Sequence, residues 1–543
     1  MITDDLNLGG VEEFAAFLGT DPRDLQEVND FLYGDEDVTQ QLAKKGFEPS
    51  PYQQAIFDFV ATGNGHGVVY GVAGCGKTTT NIQALNYVPS SAKVAFLAFN
   101  KHIAQELQDR GVDCARTFHS LGNKAIKSAT KAKFNQYKIY DTIDRMYEQK
   151  VQAGQEAKKW SYDDKSTVAK IIGLLKANLK DPLPENIREI IFTSGSIHVD
   201  YDDIPDVVEK VSLIWANNEI NRSEFDFDDM IYWPAMEIVP VEQFDWLFVD
   251  ECQDLNRAQI TFAEKSLAAG GRMLLIGDPH QSIYAFRGAF VGIMEYMQAK
   301  LAARELPLTV SYRAPMTVVE YVHNHFEHIT FEPGPAAKAG SQTTTTESQF
   351  LETVTSDDGV ICRTNAPLVK PCFALIRQGK KATILGRDIG QGLISLINKR
   401  AKLASVYNAV AISPQDGLSE LLVQLKIYLG NEKVKLEKLN KQGTIAMLED
   451  KVETIIAISD NCNSIKELRD KIKSTFSDQK KGVIFSTVHK AKGLEWDRIF
   501  VLAPHQLPHP LAQSPEDQAQ ETNIHYVAVT RTKDNLVFVY PDK

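Results

Sequence analysis

No stretch of the 543 residues approaches 18 consecutive apolar positions, so the sequence offers no candidate membrane-spanning helix. The N-terminus, Met1-Ile2-Thr3-Asp4-Asp5, lacks the basic start and apolar core of a secretory leader. The six cysteines, at 75, 114, 252, 362, 372 and 462, are scattered and contain no C-x-x-C pair. That spacing argues against structural zinc and against a disulfide framework, and makes the cytoplasm the default compartment. Positive charge is also scarce, since the formal net charge is −12. The deficit is unevenly spread, however. Residues 1–40 hold eleven Asp/Glu and one Arg, a net of −10, which leaves only −2 for the other 503. Within that remainder, residues 121–180 carry thirteen Lys/Arg against six Asp/Glu, with Phe134, Tyr137, Tyr140, Tyr147, Trp160 and Tyr162 interleaved. A basic segment bearing aromatics can track a phosphate backbone and stack bases, although a solvated helical face over core aromatics has the same composition.

What is present is a composition of ordinary globular type, 43% hydrophobic and 24% charged, on a chain long enough for three or four domains. The first 45 residues read as an acidic appendage, with short amphipathic helices at Val11–Leu18 and Leu25–Leu32. Short apolar strands at Val94–Phe99, Trp246–Val249 and Met273–Ile276 alternate with helical patterns, which predicts an α/β fold with a parallel sheet covered on both faces. Strand signals return at Gly359–Cys362, Ala382–Leu385, Gly482–Thr487, Arg498–Leu502 and Leu536–Tyr540. The pattern divides the chain into a first α/β domain (46–120 and 201–303) with a basic helical insertion (121–200). A second α/β domain (304–390 and 478–543) follows, with a Lys/Glu-rich helical insertion at 391–477.

Residues 71–78, Gly-Val-Ala-Gly-Cys-Gly-Lys-Thr, form a complete G-x-x-x-x-G-K-[ST] loop between an apolar run, Val68-Val69-Tyr70, and Thr79-Thr80-Asn81, which can open a helix. Gly71, Gly74 and Gly76 let backbone N–H groups close around phosphate oxygens at the positive end of that helix. Lys77 can reach the outer phosphates, Thr78 can hold Mg²⁺, and Thr79 extends the cradle. The expected ligand is therefore a nucleoside triphosphate. Cys75 sits inside this loop, where alkylation would block the nucleotide, although a merely small residue serves the turn equally well. The strand Trp246–Val249 ends in Asp250-Glu251-Cys252-Gln253-Asp254. Asp250 is placed to share the Mg²⁺ with Thr78, and Glu251 to orient or deprotonate the attacking water. After Met273–Ile276 comes Gly277-Asp-Pro-His-Gln-Ser-Ile-Tyr-Ala-Phe-Arg-Gly-Ala289, in which Gln281 is a candidate sensor of the terminal phosphate.

In order and wording these segments resemble the UvrD/Rep group of superfamily 1 DNA helicases. GVAGCGKTT is similar to their nucleotide loop, DECQD to their acidic box and GDPHQSIYAFRGA to their third motif. Phe47-Glu-Pro-Ser-Pro-Tyr-Gln53-Gln resembles their glutamine motif, which implies that Gln53 reads adenine. Phe96-Leu-Ala-Phe99-Asn100-Lys and Ala115-Arg-Thr-Phe118-His119 resemble segments that grip single-stranded DNA. Leu308-Thr-Val-Ser-Tyr312-Arg313 looks like the fourth motif, with Tyr312 stacked on the base and Arg313 at the γ-phosphate. Phe485–Trp496 resembles the fifth motif, which includes His489 and places Glu495 at the ribose. His525–Arg531 resembles the sixth, with Arg531 as a second arginine finger. The resemblance spans 47–536 and implies two RecA-like domains with ATP and Mg²⁺ between them. Tyr284 and Phe286 join Phe99, Asn100, Phe118, His119 and His489 as the implied DNA contacts, and Phe286 stands where the family has a larger tryptophan.

Two departures qualify what the resemblance implies. About 170 residues separate Arg313 from the fifth motif, which leaves only about 85 for a second insertion that is larger in other members. Twelve residues follow Arg531, too few for the nuclease domain of some relatives. The expected activity is ATP- and Mg²⁺-dependent 3′ to 5′ DNA unwinding, acting on single strands and single/double-strand junctions. A single-strand translocase that displaces bound proteins, and a DNA-loading mediator with a regulatory ATPase, are the alternatives. The charge of the N-terminal segment suits a basic protein partner, and no membrane is expected as one.

Overall fold

Runs of branched and aromatic residues form two all-parallel sheets. The computed structural model describes residues 48–542 except 99–100, 195–196, 198, 285–289, 291, 440, 461 and 480–481; the acidic segment 1–45 lies outside the described residues. The first sheet comprises β1 (Gly67–Gly71), β2 (Val94–Ala98), β3 (Ala115–Thr117), β4 (Phe244–Val249), β5 (Leu267–Gly277) and β6 (Arg304–Leu308), in the order β3-β2-β4-β5-β1-β6. Every pairing is parallel. Strands covered on both faces need continuous apolar sequence rather than alternation. Leu247, Phe248 and Val249 of β4 and Met273, Leu274 and Ile276 of β5 accordingly have no exposed surface. The central trio β4-β5-β1 ends in one row, with Val249 beside Leu275 and Tyr70 beside Gly277. In such sheets ligands bind beyond the carboxyl ends of the strands. The phosphate loop, the acidic box and the Gly277–Gln281 turn all emerge there.

The second sheet contains β7 (Ser341–Thr346), β8 (Gly359–Cys362), β9 (Ala382–Leu385), β10 (Phe476–Ser477), β11 (Val483–Thr487), β12 (Trp496–Leu502) and β13 (Thr532–Tyr540), in the order β7-β13-β12-β8-β11-β9-β10. It is also parallel throughout. The chain is thus α/β with two parallel-sheet lobes of RecA-like type. The sequence pattern missed β7 because Ser-Gln-Thr-Thr-Thr-Thr has no apolar run. It is an edge strand, held by β-branched threonines and one partner.

Between β3 and β4 lies a helical layer whose apolar core runs from Ala125 to Val239. This core continues beyond the boundary at residue 200 that the sequence suggested, because the helix Ile204–Ile220 turns Val207, Val211 and Ile214 into it. Ion pairs are buried in the same layer: Asp229 accepts from Lys138 at 2.7 Å and from Lys176 at 2.6 Å. The helices between β9 and β10 pack differently. Leu418, Leu421, Val452 and Ile455 share one core with Val360, Ile384 and Phe485 of the second sheet. The two helical layers also touch each other. Arg400 pairs with Asp200 at 2.5 Å, Lys435 with Asp202 at 2.8 Å and Lys399 with Asp203 at 3.0 Å. Among the described residues, no helix is long and apolar enough to cross a membrane.

Candidate active site

The phosphate loop connects β1 to the helix Lys77–Leu85. Gly74 and Gly76 take φ of 73° and 78°, a region that a side chain disfavours. Gly74 has a second constraint: an added Cβ would lie 2.5 Å from Arg313 Cβ and 2.8 Å from Ser311 Oγ. The loop therefore presses directly on the segment that carries Arg313. Ser311 Oγ donates to the Ala73 carbonyl at 2.7 Å, and the Tyr312 N–H donates to the Gly74 carbonyl at 2.9 Å. The Tyr312 ring is half exposed beside this junction.

Lys77 is buried, and its ammonium donates to the Val72 carbonyl at 3.4 Å. Burial opposes its charge, but Glu251, Cys75, Asp278 and Asp250 outweigh that and raise its pKa. Thr78 Oγ1 donates to Asp250 Oδ2 at 2.8 Å, so the two expected metal ligands already meet. One hydroxyl and one carboxylate are the hard, sparse donor set that suits Mg²⁺, which takes its remaining ligands from phosphate oxygens and water. Among the described residues, no three His, Cys, Asp or Glu side chains converge on a metal position.

Asp250 and Glu251 ionise in opposite senses. Burial, and then repulsion from Glu251, push Asp250 up to about 7. Glu251 resists its own burial because Lys77 and Lys492 lie near it and Gln253 Nε2 donates to its carboxylate at 2.6 Å, which holds its pKa below the usual range. Of the two carboxylates, Glu251 is the one whose surroundings favour the ionised form. Its backbone sits at φ 49°, an unfavourable conformation for a residue with a Cβ. Cys75 is fully buried, and burial pushes its thiol up to about 12, which makes it a packing residue and a poor target for alkylation.

A chain of hydrogen bonds leads from the acidic box to the second lobe. Gln253 Oε1 accepts from the Asp278 N–H at 3.0 Å, and Asp278 Oδ2 accepts from Gln281 Nε2 at 2.7 Å. Gln281 Oε1 in turn accepts from Arg531 Nη2 at 3.2 Å. Arg531 is 2% exposed, and burial brings its pKa down to about 10. Arg313 Nε lies 2.5 Å from Glu495 Oε2, and Lys533 pairs with the same carboxylate at 2.9 Å. Gln53 is engaged within the first lobe. Its Oε1 accepts from the Ser50 N–H at 3.0 Å in a capping box, and its Nε2 donates to Thr80 at 3.0 Å. Thr79 stands half-buried in the first turn of the loop helix.

Sequence reasoning missed three residues of this interface. Tyr526 accepts from the Ala73 N–H at 2.9 Å and reaches Asp278 Oδ2 at 3.4 Å, tying the sixth motif to the phosphate loop. Lys492 donates to both Asp254 oxygens at 2.7 Å and to the Gln281 carbonyl at 2.6 Å. Even so, burial raises Asp254 to about 6. Asp254 and Lys492 were visible within quoted motifs, but nothing in their spacing paired them.

The expected DNA contacts divide into groups. Tyr284 donates to the His489 carbonyl at 3.1 Å and lies under Lys492, which brings two of them together at the junction of the lobes. His119 is exposed and meets Phe227 edge-on at 6.2 Å; Phe227 was not singled out in the sequence. Phe118 requires correction. Its ring is 2% exposed and packs 6.0 Å from Phe262 in the core of the first lobe, because Thr117 caps the helix Phe118–Ala129 and turns its first side chain inward. It offers no surface to a base. Phe99, Asn100 and Phe286 lie outside the described residues.

The UvrD/REP helicase N-terminal domain matches residues 52–302, and the UvrD-like helicase C-terminal domain matches 307–543. A probable DNA helicase II homolog of Mycoplasma genitalium is 22% identical, covering 87% of this chain and 82% of its own length. The F-box DNA helicase 1 of Gallus gallus is 25% identical over 86% of this chain, and the ATP-dependent DNA helicase PcrA of Staphylococcus aureus is 21% identical over 59%. The matches span 46% and 60% of those two relatives' lengths. Two consecutive domain matches, over residues 52–302 and 307–543, identify the chain as a member of the UvrD/Rep family of ATP-dependent DNA helicases.

Proposed function

We propose that the protein uses ATP and Mg²⁺ to travel 3′ to 5′ on single-stranded DNA and to separate duplex at single/double-strand junctions. The observation that carries this reading is the contact of Ser311, Tyr312 and Tyr526 from the C-terminal half with the phosphate loop. A nucleotide entering that junction alters the seat of one lobe on the other. Thr78 and Asp250 would hold Mg²⁺, which supplies charge neutralisation at the phosphates. Lys77 binds the outer phosphates, and Glu251 takes a proton from the attacking water at its carboxylate. Arg531 neutralises charge developing on the transferred group, with Gln281 beside it as a sensor. Arg313 does the same after exchanging Glu495 for phosphate, which frees Glu495 for the ribose. Tyr312 offers the base a stacking face, and Gln53 lies behind the loop as the adenine reader. Once the terminal phosphate leaves, the arginines lose their partner and the junction relaxes, and alternation of grip converts this into steps. His119, Tyr284 and His489 contact the strand.

Strand displacement on duplexes with either a 3′ or a 5′ single-stranded tail, with ATP and Mg²⁺, tests the reading. Unwinding confined to the 3′-tailed substrate is expected. Single-strand-stimulated ATPase with no unwinding of either duplex would instead favour a protein-displacing translocase, an outcome to which the small second helical layer lends weight. ATP hydrolysis that does not depend on strand length would favour a static mediator.

A further inference from the structure

The basic insertion carries a second aromatic feature, well away from the nucleotide. Tyr137, Tyr140, Trp160 and Tyr162 line an open cavity of about 500 Å³, a size typical of small-ligand sites. Tyr137 and Tyr140 are edge-to-face at 6.3 Å, and Tyr140 lies 5.8 Å from Tyr162. Two of these rings are largely in water, Tyr162 at 74% and Tyr137 at 55% exposed. They are nevertheless anchored. Tyr137 precedes the helix Lys138–Gln152, and Tyr162 begins the helix Tyr162–Ala177 behind a capping box of Ser161 and Asp164. Fixed aromatic faces left open to solvent are a surface built to be covered.

The charges around the cavity indicate what covers it. Of its two carboxylates, Asp144 is ion-paired with Lys165 at 2.6 Å, and Asp141 accepts from the neutral Asn135 amide at 2.8 Å. Lys159 lines the cavity and is exposed, as are Lys158 beside it in the chain and Lys131 and Lys133 ahead of Tyr137. Phe134, three residues before Tyr137, meets Phe227 at 5.0 Å, and Phe227 meets His119 at 6.2 Å. The ring contacts from His119 run as far as Phe134, three residues from the first ring of the cavity.

We infer that this cavity takes an unpaired nucleobase of single-stranded DNA, stacked on Tyr137 and Tyr162 with its phosphate near Lys158 and Lys159. This rests on the helicase reading, since it requires a strand beside His119. It adds a holding point outside the two lobes, one that does not open and close with nucleotide. Stacking is tolerant of sequence, so the site takes any base.

The test uses the full-length protein and oligonucleotides in which thymines are replaced by photoreactive 5-iododeoxyuridine. Cross-linked peptides containing Tyr137, Trp160 or Tyr162 are expected with single strands. Tyr137→Ala/Tyr162→Ala should weaken single-strand binding about 5- to 100-fold. Tyr137→Phe/Tyr162→Phe, which keeps the rings, should restore it, and DNA-free ATPase should be unchanged in both. Cross-links elsewhere on the chain with none in this region, or unchanged affinity in the alanine pair, would overturn the assignment while leaving the helicase reading intact. Equal cross-linking of these peptides to blunt duplex would overturn the unpaired base as occupant. No cross-link anywhere, together with ATPase indifferent to DNA, would remove both readings at once.

Discussion

The two halves of the chain meet twice, and the two meetings are built of different material. At the nucleotide junction the linking groups are buried: Tyr526 and Arg531 have almost no exposed surface, and the side chains of Lys492 and Asp254 are 9% and 5% exposed. Between the helical layers two of the three ion pairs reach into water, with Asp202 at 77% and Asp203 at 54%, while Arg400 and Asp200 are largely buried. Buried polar groups are costly to leave unpaired, whereas exposed ion pairs contribute little and are screened by salt. The nucleotide junction is therefore specific and sensitive to the loss of single atoms. The two outer pairs between the layers are tunable by ionic strength. A machine that must exchange partners at one seam and shift loosely at another has use for both.

The comparison can be broken in a graded series. Arg531→Ala should have the largest effect, lowering kcat by about 10³-fold while nucleotide binding persists, as read by steady-state ATPase and by fluorescent-nucleotide titration. Next, Lys492→Ala strands Asp254 in a buried site and should cost about 3 kcal/mol in chemical denaturation. Wild-type stability there would mean that the seam is wetter than its burial indicates.

Acid should act on the same side. His525 accepts from or donates to Tyr321 at 3.0 Å and is buried; burial, and then His325, lower its pKa from 6.5 to about 4. The unfolded chain takes up the proton near 6.5, and the folded chain resists until about 4. Its contribution to stability is thus complete above pH 6.5 and is lost as pH falls through that window, by no more than about 1.4 kcal/mol per pH unit. Thermal melts of the wild type and His525→Phe between these pH values should differ in slope. Tyr526→Phe removes one hydroxyl from two partners and should cost about 1–2 kcal/mol. Lys399→Ala/Lys435→Ala should change stability by less than about 1 kcal/mol, and that small effect should disappear at high salt. If the lysine pair cost more than Tyr526→Phe, the ranking of the two seams would be reversed.

The parts legible in sequence were those where chemistry is contiguous. The phosphate loop, Asp250-Glu251 and the two arginine segments are short runs whose residue types suffice to suggest their roles, and the apolar strands announced themselves. What escaped depends on partners distant in the chain. Nothing near Tyr526 indicates that its hydroxyl ends on Ala73, and nothing near Lys492 points to Asp254. Phe118 was misread because its neighbour His119 faces outward while the capped helix start turns Phe118 into the core. The edge of the first helical layer moved because an amphipathic helix such as Ile204–Ile220 does not declare which core it faces. The strand β7 was hidden by its polarity.

Three groups of the phosphate loop have partners within the chain: Ala73 N–H donates to the Tyr526 hydroxyl, Thr78 to Asp250, and the Lys77 ammonium to the Val72 carbonyl. A nucleotide that takes these groups exchanges internal bonds for its own. The affinity for nucleotide is then the difference between the bonds formed and the bonds surrendered. A variant such as Tyr526→Phe, which surrenders less, should bind nucleotide more tightly even where it hydrolyses it more slowly.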